Sequence, residues 1–265
     1  MRGWLTNSPT VPEPSSAEAV TKDAFYGGAF HLLQPSRGGL RSGDDALLLA
    51  ATVEPGQGGV AADLGSGSGA VALAAAIRAP ALAVTLAERD PAMADLARRT
   101  LALPENADLS GRLRVVELDL LLPRLAREAA GLADGAFDLV VTNPPFHPAG
   151  SRASPDAARA AAKAEPDAAF TARWIAVAGA LLRNKGRFHM IGRPDQIATI
   201  ASACGNRLGG LTIRPVHAKA DAPAVRILCA ATRGSRAPLR LLPPVVLDAL
   251  TRQALGQGRL TVATT

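Results

Sequence analysis

Apolar residues through the middle of the chain fall into short runs separated by longer stretches with helical spacing. Runs at 60–64, 82–87, 113–118 and 137–142 are followed by helix-like stretches at 70–79 and 91–103 and near 121–130 and 170–182. Short apolar runs bounded by turn residues suit strands buried on both faces, and their alternation with helices specifies a parallel sheet. Beyond Gly186 come a strand at 187–191, a helix near 195–204, and two strands at 211–216 and 225–231. The last two lie too close together for a crossover helix, so they must pair antiparallel. The pattern predicts an α/β domain: a mostly parallel seven-stranded sheet with an antiparallel C-terminal hairpin and helices on both faces.

The flanks read differently. Residues 1–24 mix Pro, Ser, Thr and Glu with few large apolar groups, the composition of a disordered tail. Residues 25–58, with Phe25, Tyr26, Phe30 and an apolar run at 46–53, predict a strand-and-helix cap ahead of a catalytic core at 59–242. Residues 243–265 read as a second tail, and 150–166 as a loop or mobile helix. With 265 residues and 48% hydrophobic content, the chain supports one sizeable core rather than two. No apolar run is long enough to span a bilayer and the start lacks a signal-peptide pattern, so a soluble cytoplasmic protein is the expectation. Cys204 and Cys229 stand in apolar surroundings and read as small core residues. His31, His147, His189 and His217 show no zinc-ligand spacing, so no metal is expected.

Charge adds a polarity. The net charge is +6 with a pI near 10.1, and residues 183–240 hold eleven basic residues against two acidic ones, Asp195 and Asp221. Lys and Arg clustered in this way suit contacts with a nucleic-acid backbone. The candidates are Lys219, Arg226, Arg233 and Arg236.

Two motifs carry chemistry. Asp63-Leu64-Gly65-Ser66-Gly67-Ser68-Gly69 closes the first core strand and opens a helix, where open α/β sheets bind ligands. Glycines at 65, 67 and 69 allow tight turning and close approach to a ligand. The G-x-G-x-G spacing departs from the dinucleotide fingerprint G-x-G-x-x-G. It suits a ligand without a pyrophosphate but with an ammonium, such as S-adenosylmethionine, whose amino-acid portion Asp63 can help hold, with Ser66 and Asn143 as further cofactor-binding candidates. Glu88, ending the second strand, is placed to accept from ribose hydroxyls. Asp119, ending the third, can accept from an adenine amino group, with Leu120 packing on the ring. At the end of the fourth strand stands Asn143-Pro144-Pro145-Phe146. The prolines stop the strand and leave carbonyls that no following N–H of the motif can claim. The Asn143 side-chain oxygen and the Pro144 carbonyl can each accept one N–H of a planar exocyclic amine, aiming its lone pair at a methyl donor, while Phe146 offers a face for a flipped base.

These residues resemble the class I methyltransferases of the small-domain type that carry an N-P-P-F/Y motif, which implies a Rossmann-like fold and S-adenosylmethionine as cofactor. Gln34 to Ala50, Arg214-Pro215-Val216-His217, Ala222 to Arg226 and Gly234 to Leu239 look like segments of the bacterial tRNA1(Val) adenine-37 N6-methyltransferases. The resemblance implies that Arg41 to Asp45 borders the cofactor and that the substrate is structured RNA, with adenine N6 held by Asn143-Pro144-Pro145-Phe146. Phe146-His147 is also similar to the ribosomal-RNA guanine-N2 methyltransferases. Protein-glutamine N5-methyltransferases are a third relative, disfavoured by the basic C-terminal third. A cofactor- or RNA-binding module with a vestigial site is the non-enzymatic alternative, and the oligomeric state is not legible in the sequence.

Overall fold

The computed structural model describes residues 20–36, 43–144, 168–205 and 207–264. Its first element is a hairpin in which β1 (Val20–Phe25) pairs antiparallel with β2 (Phe30–Pro35), from Val20 opposite Pro35 to Phe25 opposite Phe30. The Phe25 and Phe30 rings stack at 5.2 Å at its closed end. Residues 20–24, expected in a disordered tail, are therefore strand. Thr21, Lys22 and Asp23 have the composition of a tail, but an antiparallel ribbon needs only one apolar face. Helix α1 (Asp44–Ala50) follows, with Ala46 to Ala50 all buried.

The strands β3 (Gly59–Leu64), β4 (Leu82–Glu88), β5 (Leu113–Glu117), β6 (Phe137–Thr142) and β7 (Leu182–Gly192) are parallel to their sheet neighbours among themselves. β8 (Leu208–His217) and β9 (Ala224–Arg233) form the expected hairpin, and β9 lies antiparallel between β8 and β7. The order across the sheet is β8-β9-β7-β6-β3-β4-β5. Connections run from β3 outward to β5 on one side and from β6 outward on the other, so the strand order reverses between β3 and β6. That switch point is where a ligand crevice opens at the carboxyl ends of the strands.

Helices α2 (Ala70–Arg78), α3 (Pro91–Leu101), α4 (Ala107–Ser110), α5 (Arg124–Ala129), α6 (Ala168–Leu181) and α7 (Ile197–Cys204) fill the connections. Successive strand residues point to opposite faces, and the core divides accordingly. Ala61, Leu139 and Val141 join α1, α2 and α3 in one apolar cluster, whereas Ala62, Leu64 and Val140 join α6 and α7 in the other. Helices thus cover both faces, as the sequence pattern predicts.

Residues 243–264 are not a tail. Two-residue strands β10 (Arg240–Leu241) and β11 (Val245–Val246) extend the outer edge beside β8, and α8 (Ala249–Gly256) carries the chain back over the first core. Leu247, Leu255 and Val262 are buried there. Arg78 of α2 ties the segment down, donating to the carbonyls of Val53 (3.2 Å), Ala51 (3.4 Å) and Gly258 (2.9 Å) and to Thr261 Oγ1 (3.1 Å). Strands of two residues are too short to show a period, which hides this region from pattern reading.

Candidate active site

The glycine loop leaves β3 with Gly65, Gly67 and Gly69 all at positive φ, a conformation that favours residues without a Cβ. The Gly65 and Ser66 N–H groups donate to the Ala87 carbonyl of β4, at 2.9 and 3.2 Å, and Gly69 begins α2. A Cβ on Gly69 would lie 2.8 Å from Leu86 Cδ2, and one on Gly65 would lie 3.3 Å from the Trp174 ring. The loop is therefore wedged between β4 below and α6 beside it.

Glu88 and Asp63 have opposite hydrogen-bonding situations. Glu88 Oε1 accepts the Arg89 and Asp90 N–H groups and Oε2 accepts that of Gly67, all at 2.8 Å. A carboxylate has about four lone-pair sites, so the remaining capacity is on Oε2, facing the glycine loop. Asp63 is 1% exposed. Its Oδ2 has no hydrogen-bond partner, and neither do the shielded hydroxyls of Ser66 and Ser68. Burial is the main reason its carboxyl is pushed up to about 7; the Ala72 backbone opposes the shift and the Glu88 charge adds to it. An unpartnered buried carboxylate beside two unpartnered hydroxyls could form the polar half of a site for a cationic amino-acid group. These groups fit S-adenosylmethionine, whose ammonium Asp63 could hold and whose ribose could donate to the open lone pair of Glu88.

Across the switch point, the end of β6 is fixed by a relay. Trp174 Nε1 of α6 donates to Thr142 Oγ1 at 3.0 Å, and Thr142 Oγ1 donates to the Leu64 carbonyl at 2.8 Å. Phe170 stacks on Trp174 with centroids 5.4 Å apart. Asn143 and Pro144 emerge directly from this clamp, Asn143 half-buried and Pro144 buried. The Asn143 side chain makes no hydrogen bond to another described residue. Trp174 and Thr142 were not anticipated as site residues. The available signal was a tryptophan on the apolar face of a predicted helix, in a chain with 3% aromatic residues.

The remaining candidates divide. Asp119 is half-buried, with Oδ1 accepting the Leu121 N–H at 2.8 Å. Leu120 is 4% exposed and belongs to the second core, so its side chain packs inward. Asp45, in the first turn of α1, accepts from Arg226 Nε at 2.9 Å, so a residue expected at the cofactor and one expected at RNA are each other's partner. Arg226 and the exposed Lys219 stand at the carboxyl end of the parallel strands. Arg233 is at the opposite end, because Gly192 pairs with Ile227 and Leu208 with Arg233. There its guanidinium caps the end of α6, donating to the Gly179, Ala180 and Leu182 carbonyls. The exposed Arg236 follows it, also away from the crevice. Arg233 and Arg236 are thereby removed from the set expected to contact RNA near the site. Arg41, Pro145, Phe146, His147 and the 150–166 segment lie outside the described residues. His189 is a buried core residue whose Nδ1 lies 2.8 Å from Thr52 Oγ1; burial first and the Arg187 charge second push its pKa down to about 3. Among the described residues, no group of three or more His, Cys, Asp or Glu could hold a metal, and no helix is long and apolar enough to cross a membrane.

A glycine loop, strand-end acids and an Asn-Pro end on β6, set on this sheet order, define a class I S-adenosylmethionine-dependent methyltransferase. The sequence model of the methyltransferase small domain matches residues 36–199, and the chain belongs to that family. It is similar to the crystal structure of a predicted O-methyltransferase from Agrobacterium tumefaciens, with 36% identity, 83% of this chain and 98% of that one covered, and a TM-score of 0.69. The fold is also shared with TYW2 of M. jannaschii, solved in complex with AdoMet, at 12% identity over 83% of this chain and 88% of that one with a TM-score of 0.53. TYW2 of P. horikoshii, in complex with MeSAdo, gives 14% identity, 83% and 74% coverage and a TM-score of 0.52. No curated protein matches the chain.

Proposed function

We propose that the protein methylates the exocyclic amine of a base in structured RNA, with adenine N6 in tRNA as the leading target. The observation that carries this reading is Asn143-Pro144 at the end of β6, held against the glycine loop by the Trp174–Thr142–Leu64 relay. An exocyclic amine is a poor nucleophile because its lone pair is delocalised into the ring. Two acceptors, Asn143 Oδ1 and the Pro144 carbonyl, take its two N–H bonds and turn the lone pair out of the ring plane. S-adenosylmethionine supplies the electrophilic methyl when bound. The chain contributes positioning and preorganised dipoles, and the relay keeps both acceptors from shifting as the amine changes geometry. Asp63, the open Oε2 of Glu88 and the three glycines hold the cofactor. Lys219 and Arg226 face the side from which a polyanion would approach.

A second target, guanine N2 in ribosomal RNA, is favoured by the sequence Phe146-His147. Purified protein, labelled cofactor and unmodified bacterial tRNA or ribosomal RNA separate the two once the product nucleosides are identified by mass spectrometry. Methyl on adenine N6 supports the leading target and methyl on guanine N2 the second. Methyl on a ribose or protein oxygen, or on a glutamine amide, refutes both. Asn143→Ala should abolish transfer with little change in cofactor affinity, and retained activity would refute the role assigned to it.

A further inference from the structure

The carboxyl edge of the sheet is ordered by charge. Following the strand order, its end residues run Asp119 after β5, Glu88 on β4, Asp63 on β3, Asn143 after β6, Arg193 after β7 and Arg226 on β9, at about 5 Å per strand. Asn143 stands at the boundary between an acidic half and a basic half. The acids line the half that receives the cofactor, so a substrate amine meeting Asn143 has to bring the rest of its molecule in over β7 and β9. Gly192 of β7 pairs with Ile227 of β9, which sets Arg193 and Arg226 side by side on that approach.

Arg193 is only partly paired, and of the arginines with a shielded, unpartnered guanidinium nitrogen (Arg127, Arg187 and Arg193) it is the one at the carboxyl edge of the sheet beside Asn143. Its Nε donates to Asp195 Oδ1 at 3.1 Å and its Nη2 pairs with Asp195 Oδ2, while Nη1 is shielded from solvent and has no hydrogen-bond partner. Arg226 donates from Nε to Asp45 and from Nη1 to the Val225 carbonyl. A shielded N–H of a cation without an acceptor is costly to keep. A planar guanidinium fork matches the paired oxygens of a phosphate better than any other side chain does. The Asp195 carboxylate is more than half exposed, so it can release Arg193 to a competing anion at small cost.

We infer that Arg193, with Arg226 beside it, binds a backbone phosphate flanking the methylated base, so that Arg193 is a substrate-binding residue of the site. This rests on the RNA-base reading given under Proposed function. The test uses the whole protein and a fluorescein-labelled unmodified tRNA transcript, with affinity measured by anisotropy over a series of salt concentrations and cofactor affinity measured in parallel. Arg193→Gln should weaken RNA binding about tenfold and lower the slope of log affinity against log salt by about one, with cofactor affinity unchanged. Asp195→Asn, which removes the competing carboxylate, should tighten RNA binding. Opposite signs from two contacting residues cannot both come from damage to the fold. Arg207→Gln, at the far end of the sheet, should change nothing. The inference is overturned if Arg193→Gln leaves affinity and slope intact, or if Asp195→Asn weakens binding as Arg193→Gln does, while the wild type still methylates RNA. A wild type that methylates a glutamine peptide and neither binds nor methylates RNA overturns the underlying reading as well.

Discussion

Asp63→Asn should make the cofactor-free protein more stable and the enzyme worse. The carboxyl is buried with one oxygen unpartnered, and it is pushed from its ordinary 3.8 up to about 7. The direction of the pH effect follows from proton counting. Between those two values the folded state holds a proton that the unfolded state has lost, so stability is greatest below about pH 4 as far as this group is concerned and falls as pH rises toward 7. Each pH unit over which the states differ by one proton is worth about 1.4 kcal/mol, so ionised Asp63 weakens the fold by about 4 kcal/mol above pH 7. Asparagine keeps the volume and cannot ionise; allowing for its poorer fit to the Ala72 N–H, about 2–4 kcal/mol should be recovered at pH 8. For a chain of this size that raises the melting temperature by about 5–10 °C. Thermal unfolding of wild type and variant at several pH values, without cofactor, measures it: the curves should converge near pH 4 and separate progressively to pH 8. S-adenosylmethionine should bind the variant at least tenfold more weakly, because its ammonium loses a charged partner. In the wild type, binding near pH 6 should release a proton, detectable as a dependence of the calorimetric heat on the buffer's ionisation enthalpy. A wild type whose stability relative to the variant is independent of pH, or a variant that is less stable at pH 8, would refute the account of Asp63 as a buried acid awaiting a cation.

Trp174→Phe keeps a ring against Gly65 but removes the donor to Thr142; about 1–2 kcal/mol of stability should be lost. Methyl transfer should fall further than cofactor affinity, and Thr142→Val should cost less stability in the Trp174→Phe background than in the wild type, by the worth of the Trp174–Thr142 hydrogen bond, as a double-mutant cycle would reveal. Gly69→Ala places a Cβ 2.8 Å from Leu86 Cδ2 at a φ of +100°; a loss of about 2 kcal/mol and a weaker cofactor complex, read by calorimetry, are expected. Arg78→Met removes four hydrogen bonds and leaves the Val53 and Gly258 carbonyls without a donor, while Ala51 keeps the Val262 N–H. It should cost about 3 kcal/mol and render residues 249–264 the first site of limited proteolysis.

The seven long strands were legible because each is a contiguous apolar run with a helix or a short turn after it, and burial on both faces writes that run directly into composition. Chain spacing also identified the hairpin at 208–233, since no crossover fits between its strands. What escaped was structure held by pairing or by single side chains. Residues 20–24 are strand because a hairpin partner supplies their hydrogen bonds, and residues 243–264 are ordered partly because Arg78 reaches them from α2. In the candidate site, Asp63, Glu88 and the glycines could be read in order along the sequence, because strand ends on a parallel sheet converge on one edge. Trp174 and Thr142 could not, since their hydrogen bond joins positions 32 residues apart and nothing in a helix period marks which apolar residue carries a donor.

The basic C-terminal third shows the same limit more sharply. Of its eleven cations, Arg183 pairs with Asp138, Arg187 with Glu54, Arg193 with Asp195 and Arg226 with Asp45. Arg214 donates to the Pro243 and Ala263 carbonyls, and Arg233 to the last carbonyls of α6. Helix ends leave carbonyls without intrahelical donors and carry partial negative charge, so an arginine beside one satisfies a structural need and is not available to a ligand. A count of positive residues therefore overstates the surface that can meet a polyanion. Position on the sheet discriminates better: cations at the carboxyl edge share the crevice with Asn143, and those at the opposite edge hold helices and the C-terminal segment in place. On that criterion the electrostatic contact near the site comes down to about three groups, Arg193, Arg226 and Lys219. If the substrate is a base in RNA, as proposed above, its recognition then rests mainly on the fit of the base itself beside Asn143 and Pro144.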